Sequence, residues 1–142
     1  EIRGVNFGTN QNELIEAAGG LKEGCEKVIS GGPMMGFAMY TTDTPITKTS
    51  SSILCMSKDE VSACEPTACI NCGRCVDACP SRIIPSRLAD FAERHDEEAF
   101  LKFNGLECVE CGSCSYVCPA KRQLKQAIGS MRKTALANKK KK

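Results

Sequence analysis

The chain contains the run Cys69-Ile-Asn-Cys72-Gly-Arg-Cys75-Val-Asp-Ala-Cys79-Pro80 and then repeats its pattern. The second copy reads Cys108-Val-Glu-Cys111-Gly-Ser-Cys114-Ser-Tyr-Val-Cys118-Pro119. Both copies have the spacing C-x2-C-x2-C-x3-C-P, and together they hold eight of the eleven cysteines. Thiols at such short and regular intervals indicate metal ligation.

The spacing is that of ligands to iron–sulfur clusters. Three closely spaced thiolates can each bind one corner of a cubic cluster, and glycine after the second cysteine permits a close approach of the backbone. The fourth cysteine lies too far along to close the same cluster comfortably, and in two-cluster ferredoxins it crosses to the other one. We therefore predict one [4Fe–4S] cluster on Cys69, Cys72, Cys75 and Cys118, and a second on Cys79, Cys108, Cys111 and Cys114.

Other uses of these cysteines fit the pattern less well. Zinc sites take two separated C-x2-C pairs, whereas each run here has three evenly spaced cysteines, a fourth cysteine and a proline. A disulfide framework suits small secreted domains, but we find no signal peptide and the cysteine count is odd. Cys25, Cys55 and Cys64 are surplus, and free buried cysteines are their default interpretation.

No catalytic residues are predicted. His95 is the single histidine, and a Rieske-type site needs two, so we interpret it as a surface helix residue. No Ser/His/Asp or paired-carboxylate arrangement is present.

Composition narrows the class of protein. The chain has 142 residues, a formal net charge of +2 and 42% hydrophobic residues including cysteine. Because each oxidised cluster with its thiolates carries roughly −2, the assembled protein would be mildly acidic, which argues against a nucleic-acid partner. No apolar run approaches the roughly 20 residues of a membrane helix. Thiolate ligands imply a reducing compartment, which we predict to be the cytoplasm.

The sequence predicts an α+β fold in three parts. Residues 1–57 form a small α+β segment, residues 58–130 the helical cluster module, and residues 131–142 a basic, disordered tail. In the first part we predict a short strand that includes Ile2, Val5 and Phe7, and a helix over 13–18 after a cap at Asn10. Further strands are predicted over 27–30 and 52–56, with an extended stretch over 34–39. Because the chain opens at Glu1 rather than Met, we interpret it as a piece of a longer protein.

Helices are predicted around the cysteine runs. Ser57 with Glu60 three residues on is typical of a capped helix start. The 28 residues between Cys79 and Cys108 predict two helices, over 85–95 and 96–103, and another helix follows Pro119 and ends near Gly129. Two helices in this insert favour an all-helical two-cluster module over the βαββαβ ferredoxin fold.

Four segments together resemble the C subunit of the Rnf ion-translocating electron-transport complex. They are residues 28–36 (Val-Ile-Ser-Gly-Gly-Pro-Met-Met-Gly), residues 45–50 (Pro-Ile-Thr-Lys-Thr-Ser), Cys69 to Pro80, and Glu107 to Ala120. The cysteine runs alone would also fit a stand-alone ferredoxin-like carrier, or an iron–sulfur subunit of the glycolate oxidase or succinate dehydrogenase type. The Gly-Gly-Pro-Met-Met-Gly segment favours the resemblance to the Rnf C subunit over these other iron–sulfur proteins.

The resemblance implies a role beyond what spacing shows. Residues before about 57 would end a β-grasp ligand-binding domain of the SLBB type. FMN and NADH would bind only in an upstream domain outside this sequence. The complex would pass electrons between ferredoxin and NAD and couple them to ion movement, as an ion-translocating oxidoreductase. The chain would lie peripherally on the cytoplasmic side of the cell membrane, with the other members of the complex, and ferredoxin, as partners.

Overall fold

The computed structural model describes residues 4–60 and 63–141, and the chain separates into two compact units. The first unit ends at Ala63 and the second begins at Cys64. Strands and helices both occur, so the predicted mixed α+β class is confirmed.

A three-stranded antiparallel sheet organises the first unit. Its strands are β1 (Lys27–Ser30), β2 (Phe37–Ala38) and β3 (Ile53–Met56), in the order β2-β1-β3. Ile29 in the central strand pairs with Ala38 on one side and Leu54 on the other. The predicted strands over 27–30 and 52–56 are thus confirmed.

One helix belongs to this unit, α1 (Gln11–Ala17), and Asn10 caps it as predicted. The side-chain oxygen of Asn10 accepts a hydrogen bond of 2.9 Å from the backbone N–H of Asn12. This bond satisfies one of the amides that a helix start leaves without a partner.

The structure corrects two extended segments predicted for the first unit. Val5 and Phe7 lie outside any strand, and Ile2 lies outside the described residues. Of the stretch predicted to be extended over 34–39, only Phe37–Ala38 form a strand, because the chain turns over residues 33–35 after Gly31 takes a φ of 104°.

No helix forms over the described residues 57–60, although the capping pattern there predicted one; Val61, the last residue of that pattern, lies outside the described residues. Contacts with the start of β1 hold this segment in another conformation. The Asp59 carboxylate accepts a 2.7 Å ion-pair contact from Nζ of Lys27, and the Asp59 backbone N–H donates to Glu26 at 2.7 Å.

The second unit consists, among its described regular elements, of helices. They are α2 (Arg74–Asp77), α3 (Pro85–Glu93), α4 (Glu97–Lys102), the 3-10 turn η1 (Gly105–Glu107), α5 (Ser113–Tyr116) and α6 (Leu124–Lys141). The two helices predicted between the runs match α3 and α4. Pro85 stands in the first turn of α3, and the Asp96 carboxylate caps α4 by accepting from the N–H of Ala99 at 2.9 Å.

A hydrophobic core joins α3, α4 and α6. Its fully buried side chains include Leu88, Phe100, Leu124 and Ile128. Five thiols pack against this core, so the two cysteine runs are anchored to it: Cys75, Cys79, Cys108, Cys114 and Cys118.

The C-terminal prediction needs correction. The tail expected to be disordered over 131–142 is helical through Lys141, and α6 continues past Gly129, its predicted end. Met131 and Ala135 are buried, so the apolar stripe of the helix extends beyond Gly129 and supports the helix that leads into the lysine run from residue 139. No helix within the described residues is long and apolar enough to cross a membrane.

Candidate metal centres

The eight predicted ligands line two separate clefts of the second unit. One cleft is lined by Cys69, Cys72, Cys75 and Cys118. The other is lined by Cys79, Cys108, Cys111 and Cys114. The last cysteine of each run therefore lies with the first three cysteines of the other run.

Local backbone geometry brings the thiols of a run together. After the second cysteine, Gly73 and Gly112 take φ values of 77° and 85° and start the one-turn helices α2 and α5. These left-handed values are readily open only to glycine. The third cysteine of each run lies on the short helix, which places it at the cleft between its neighbours.

A backbone hydrogen bond links the two cysteine runs. The backbone N–H of Thr67, just before the first run, donates to the carbonyl of Ala120, just after the second, at 3.0 Å. This bond ties the beginning of one run to the end of the other, beside the cleft that Cys69 and Cys118 share.

The two clefts differ in exposure. In one cleft, Cys69 and Cys72 are exposed. The other cleft, which we call the second-run cleft because three of its four cysteines belong to the second run, has four half-buried thiols. Ile70 and Val109, each following the first cysteine of its run, are exposed apolar residues at the cleft rims.

Burial makes some of these thiols poor anions by themselves. It raises the pKa of Cys114 to about 11, against an opposing hydrogen bond from the Ser115 backbone. Burial likewise raises the pKa of Cys108. A thiolate at these positions therefore needs a compensating cation, which a bound metal supplies.

Cys111 is the contrasting case in the same cleft. Its Sγ lies 3.5 Å from Oγ of Ser113, and hydrogen bonds from the Ser113 side chain and backbone lower the pKa of Cys111. The backbone N–H of Glu110 donates to Sγ of Cys108 at 3.4 Å. Hydrogen bonds to ligand sulfur are one of the means by which proteins set cluster potentials.

The donor set fits an iron–sulfur cubane. Each cleft offers four thiols, and in a [4Fe–4S] centre each thiolate binds a different iron, so the ligands surround the group rather than meet at one point. Among the described residues, no three His, Cys, Asp or Glu side chains converge as ligands of a single ion would.

The three cysteines outside the two runs, and the single histidine, do not line either cleft. Cys25 and Cys55 belong to the first unit, where the Cys25 thiol donates to the Lys27 carbonyl at 3.7 Å. Cys64 is exposed and lines neither cleft. His95 is exposed in the turn between α3 and α4.

Sequence reasoning missed two side chains beside the clefts. Arg122 lines the cleft of Cys69, and Arg132 bonds Glu110 on the rim of the other. Neither belongs to a ligand motif, and the charge partners of Arg122 (Asp90 and Glu93) lie on α3, far away in sequence. No local signal in the sequence could have identified these pairs.

Comparisons with known proteins give one family match and several relatives of similar sequence. A family model described as a 4Fe-4S dicluster domain matches residues 68–122. The C subunit of the proton-translocating ferredoxin:NAD(+) oxidoreductase complex of Clostridium ljungdahlii is 50% identical over 125 residues, covering 87% of this chain and 27% of the relative.

Two further relatives are similar. The C subunit of the Na(+)-translocating ferredoxin:NAD(+) oxidoreductase complex of Acetobacterium woodii is 40% identical over 137 residues, covering 96% of this chain and 31% of the relative. The C subunit of the ion-translocating oxidoreductase complex of Methanosarcina acetivorans is 46% identical over 124 residues, covering 87% of this chain and 28% of the relative. The chain thus spans less than a third of the length of these relatives.

Proposed function

We propose that the chain carries electrons through two [4Fe–4S] clusters within an ion-translocating ferredoxin:NAD(+) oxidoreductase complex. The ground is its homology to part of the C subunits of such complexes and its match to a 4Fe-4S dicluster domain. The observation that carries the proposal is the division of eight cysteines between two four-thiol clefts.

The proposed ligands follow the clefts. Cys69, Cys72, Cys75 and Cys118 would hold one cluster, and Cys79, Cys108, Cys111 and Cys114 the other. When bound, such clusters supply one-electron oxidation and reduction between the 2+ and 1+ states. The protein would hold them side by side, since each run contributes to both clefts.

The chain's own groups would tune this chemistry. The core of α3, α4 and α6 excludes water from one side of each cleft. In the second-run cleft the Glu110 N–H donates to Sγ of Cys108, and the Ser113 hydroxyl, which accepts from the Cys111 thiol, would donate to that sulfur as a thiolate. Burial, hydrogen bonds and nearby charge are the general determinants of cluster potential.

The first unit would belong to a β-grasp-like domain of the SLBB type. Its antiparallel sheet and single described helix are consistent with part of such a domain. FMN and NADH would bind outside this sequence, which is consistent with the greater length of the relatives and with the NAD(+) in their names.

The assembly proposal follows from the same homology. The other members of a membrane redox complex, and ferredoxin, would be the partners, and the chain would lie peripherally on the cytoplasmic side of the membrane. A stand-alone carrier, or an iron–sulfur protein of the glycolate oxidase or succinate dehydrogenase type, is less well supported, because the similarity to C subunits extends over nearly the whole chain.

Anaerobic iron and sulfide analysis tests the cluster content. About eight irons and eight sulfides per chain, with two interacting spins in the EPR spectrum of the reduced protein, are expected from the doubled motif. Half that content, or bound zinc with no visible colour, would contradict the proposal.

A set of cysteine variants tests the crossed ligation. Cys79→Ser should alter the same EPR signal as Cys111→Ser, and Cys118→Ser the same signal as Cys72→Ser. If Cys79→Ser instead matched Cys72→Ser, each run would hold its own cluster and the assignment would be wrong.

A further inference from the structure

Arg132 bridges the two sides of the segment that carries Cys108. It lies on α6, and its Nε donates to the carbonyl of Leu106 at 3.1 Å. Its Nη1 lies 3.1 Å from Oε1 of Glu110. Leu106 and Glu110 stand two residues before and two residues after Cys108, so one guanidinium holds both ends of this ligand loop.

The contact is partly shielded from water. The side chains of Arg132 and Glu110 are 31% and 24% exposed, so their charges are screened less than those of a fully exposed pair. Glu110 also lines the cleft, and its backbone N–H donates to Sγ of Cys108. The ion pair therefore fixes both a charge and a hydrogen-bond donor next to a ligand sulfur.

Both charges lie beside the loop that carries Cys108, because the guanidinium of Arg132 contacts Leu106 and Glu110 on either side of that residue. The fields of the two charges would act on an electron added to a cluster at this sulfur, since an added negative charge is disfavoured by a carboxylate and favoured by a cation.

The first run offers a natural comparison. Asn71 holds the position that Glu110 holds in the second run, with the same φ of 55°. Its side chain is neutral, and Sγ of Cys69 lies 3.8 Å from its oxygen. A charged pair at this place thus distinguishes the second-run cleft from its counterpart.

We propose that Arg132 is a positioning residue for the Cys79, Cys108, Cys111 and Cys114 cluster. It holds the ligand loop against α6, and it neutralises Glu110, which keeps the reduction potential of that cluster higher than an unpaired Glu110 would allow. This inference rests on the proposed function, because it requires the cluster to be bound.

A redox titration followed by EPR on the reconstituted 142-residue chain tests the proposal. In Arg132→Gln, the ratio of reduced to oxidised second-run cluster at a fixed potential should fall about tenfold, which is about 59 mV for a one-electron couple. Glu110→Gln should move the same cluster in the opposite direction. In the double variant the shift should be smaller than in Arg132→Gln alone, since no unpaired carboxylate remains.

Two controls separate tuning from general damage. The cluster on Cys69, Cys72, Cys75 and Cys118 should keep its potential in every variant. Lys133→Gln removes a positive charge from an exposed neighbour on α6 and should leave both potentials in place. Arg132→Lys, which keeps the charge but loses the planar fork, should fall between the parent chain and Arg132→Gln.

The variants give distinguishable outcomes. If Arg132→Gln retains both clusters and neither potential moves, or both move equally, the proposal is wrong. If Arg132→Gln cannot hold the cluster, the Glu110→Gln variant provides the test. An unchanged reduction potential of the second-run cluster in Glu110→Gln would then overturn the proposal. If the parent chain binds no cluster at all, the proposed function fails instead, and iron and sulfide analysis of the parent chain detects that case.

Discussion

At corresponding positions, the two cysteine runs share backbone conformation and differ in side chains. Asn71 and Glu110 have the same φ of 55°, and Arg82 and Lys121 have φ values of 52° and 53°. Left-handed conformations cost L-residues energy, so their recurrence indicates that the fold of the run requires them. The chemical differences between the clefts therefore come from the side chains that occupy a common scaffold.

Ser113→Ala should lower the reduction potential of the second-run cluster. The hydroxyl at 3.5 Å from Sγ of Cys111 can donate to the thiolate, and a donated hydrogen bond favours the more negative, reduced state. A contribution of about 1 kcal/mol corresponds to roughly 40 mV for one electron. An EPR-monitored titration measures the shift.

Ser113→Thr is the matched control because it keeps the hydroxyl, and it should stay close to the parent potential. An unchanged potential in the alanine variant would show that this hydroxyl does not act on the cluster.

Gly36→Ala should destabilise the first unit by about 2 kcal/mol. A Cβ at residue 36 would lie 2.5 Å from the Gly32 carbonyl oxygen and 2.6 Å from Cγ2 of Ile29. The turn that brings β2 onto β1 would have to open. Hydrogen exchange of the β1 amides measures the loss of stability.

Gly32→Ala is the control for that experiment, since a Cβ there meets nothing within 4 Å and the residue has no positive φ. Equal effects of the two substitutions would argue against a steric cause.

Residue spacing predicted much of the candidate site. The structure groups the eight cysteines in the same two sets that the motif rule gave, while their ligation stays a proposal. The charge pairs were not predictable, because Arg132 meets Glu110, and Arg122 meets Asp90, only after α6 has packed in the second unit.

At the scale of elements, Arg122 ties the start of α6 to the end of α3. Its Nη2 lies 2.9 Å from both Asp90 and Glu93, and its side chain is 12% exposed. Burial lowers the pKa of Arg122, but the hydrogen bonds to these two carboxylates outweigh it and raise the pKa overall. The guanidinium is therefore a permanently charged link between the two helices.

Arg122→Gln should reduce the free energy of unfolding of the second unit by about 1–2 kcal/mol. Breaking a buried ion pair costs more, but both carboxylates are partly in contact with water, so solvent recovers some of the loss. Chemical denaturation of the cluster-loaded chain, followed by the loss of visible absorbance, measures it.

Arg94→Gln removes an exposed arginine at the end of α3 and should have little effect. If the two variants were equally stable, the link would contribute nothing.

Local sequence patterns predicted the helices correctly where no contact from a distant part of the chain favoured another conformation. The helices predicted over 85–95 and 96–103 match α3 and α4 to within about two residues at each end. The capping pattern at Ser57 failed because Lys27 and Glu26 bind Asp59 instead. The length of α6 was missed because lysines near residue 139 suggested a solvated tail, while Met131 and Ala135 supply a buried stripe further back.

At the scale of the whole molecule, we expect the fold of the second unit to depend on binding of the proposed clusters. Thiols form part of the surface of its core, and metal binding free energy becomes folding free energy in small metal-binding domains. Removal of iron by an anaerobic chelator should therefore abolish most of the helical circular dichroism. A near-native spectrum without iron would contradict this.

Hydrogen exchange supplies the control for iron removal. Peptides from β1 and β3 should keep their protection, because the first unit contains none of the proposed ligands, while peptides after Cys64 should lose it. Anaerobic return of iron and sulfide should restore the protection.

The distribution of Cys79 and Cys118 between the two clefts also limits how the module can be divided. A gene rearrangement that separated the two runs would leave each piece with three thiols of one cleft and one thiol of the other. Under the proposed ligation, neither piece would hold a complete set of four ligands. The two centres would therefore be gained or lost together in evolution.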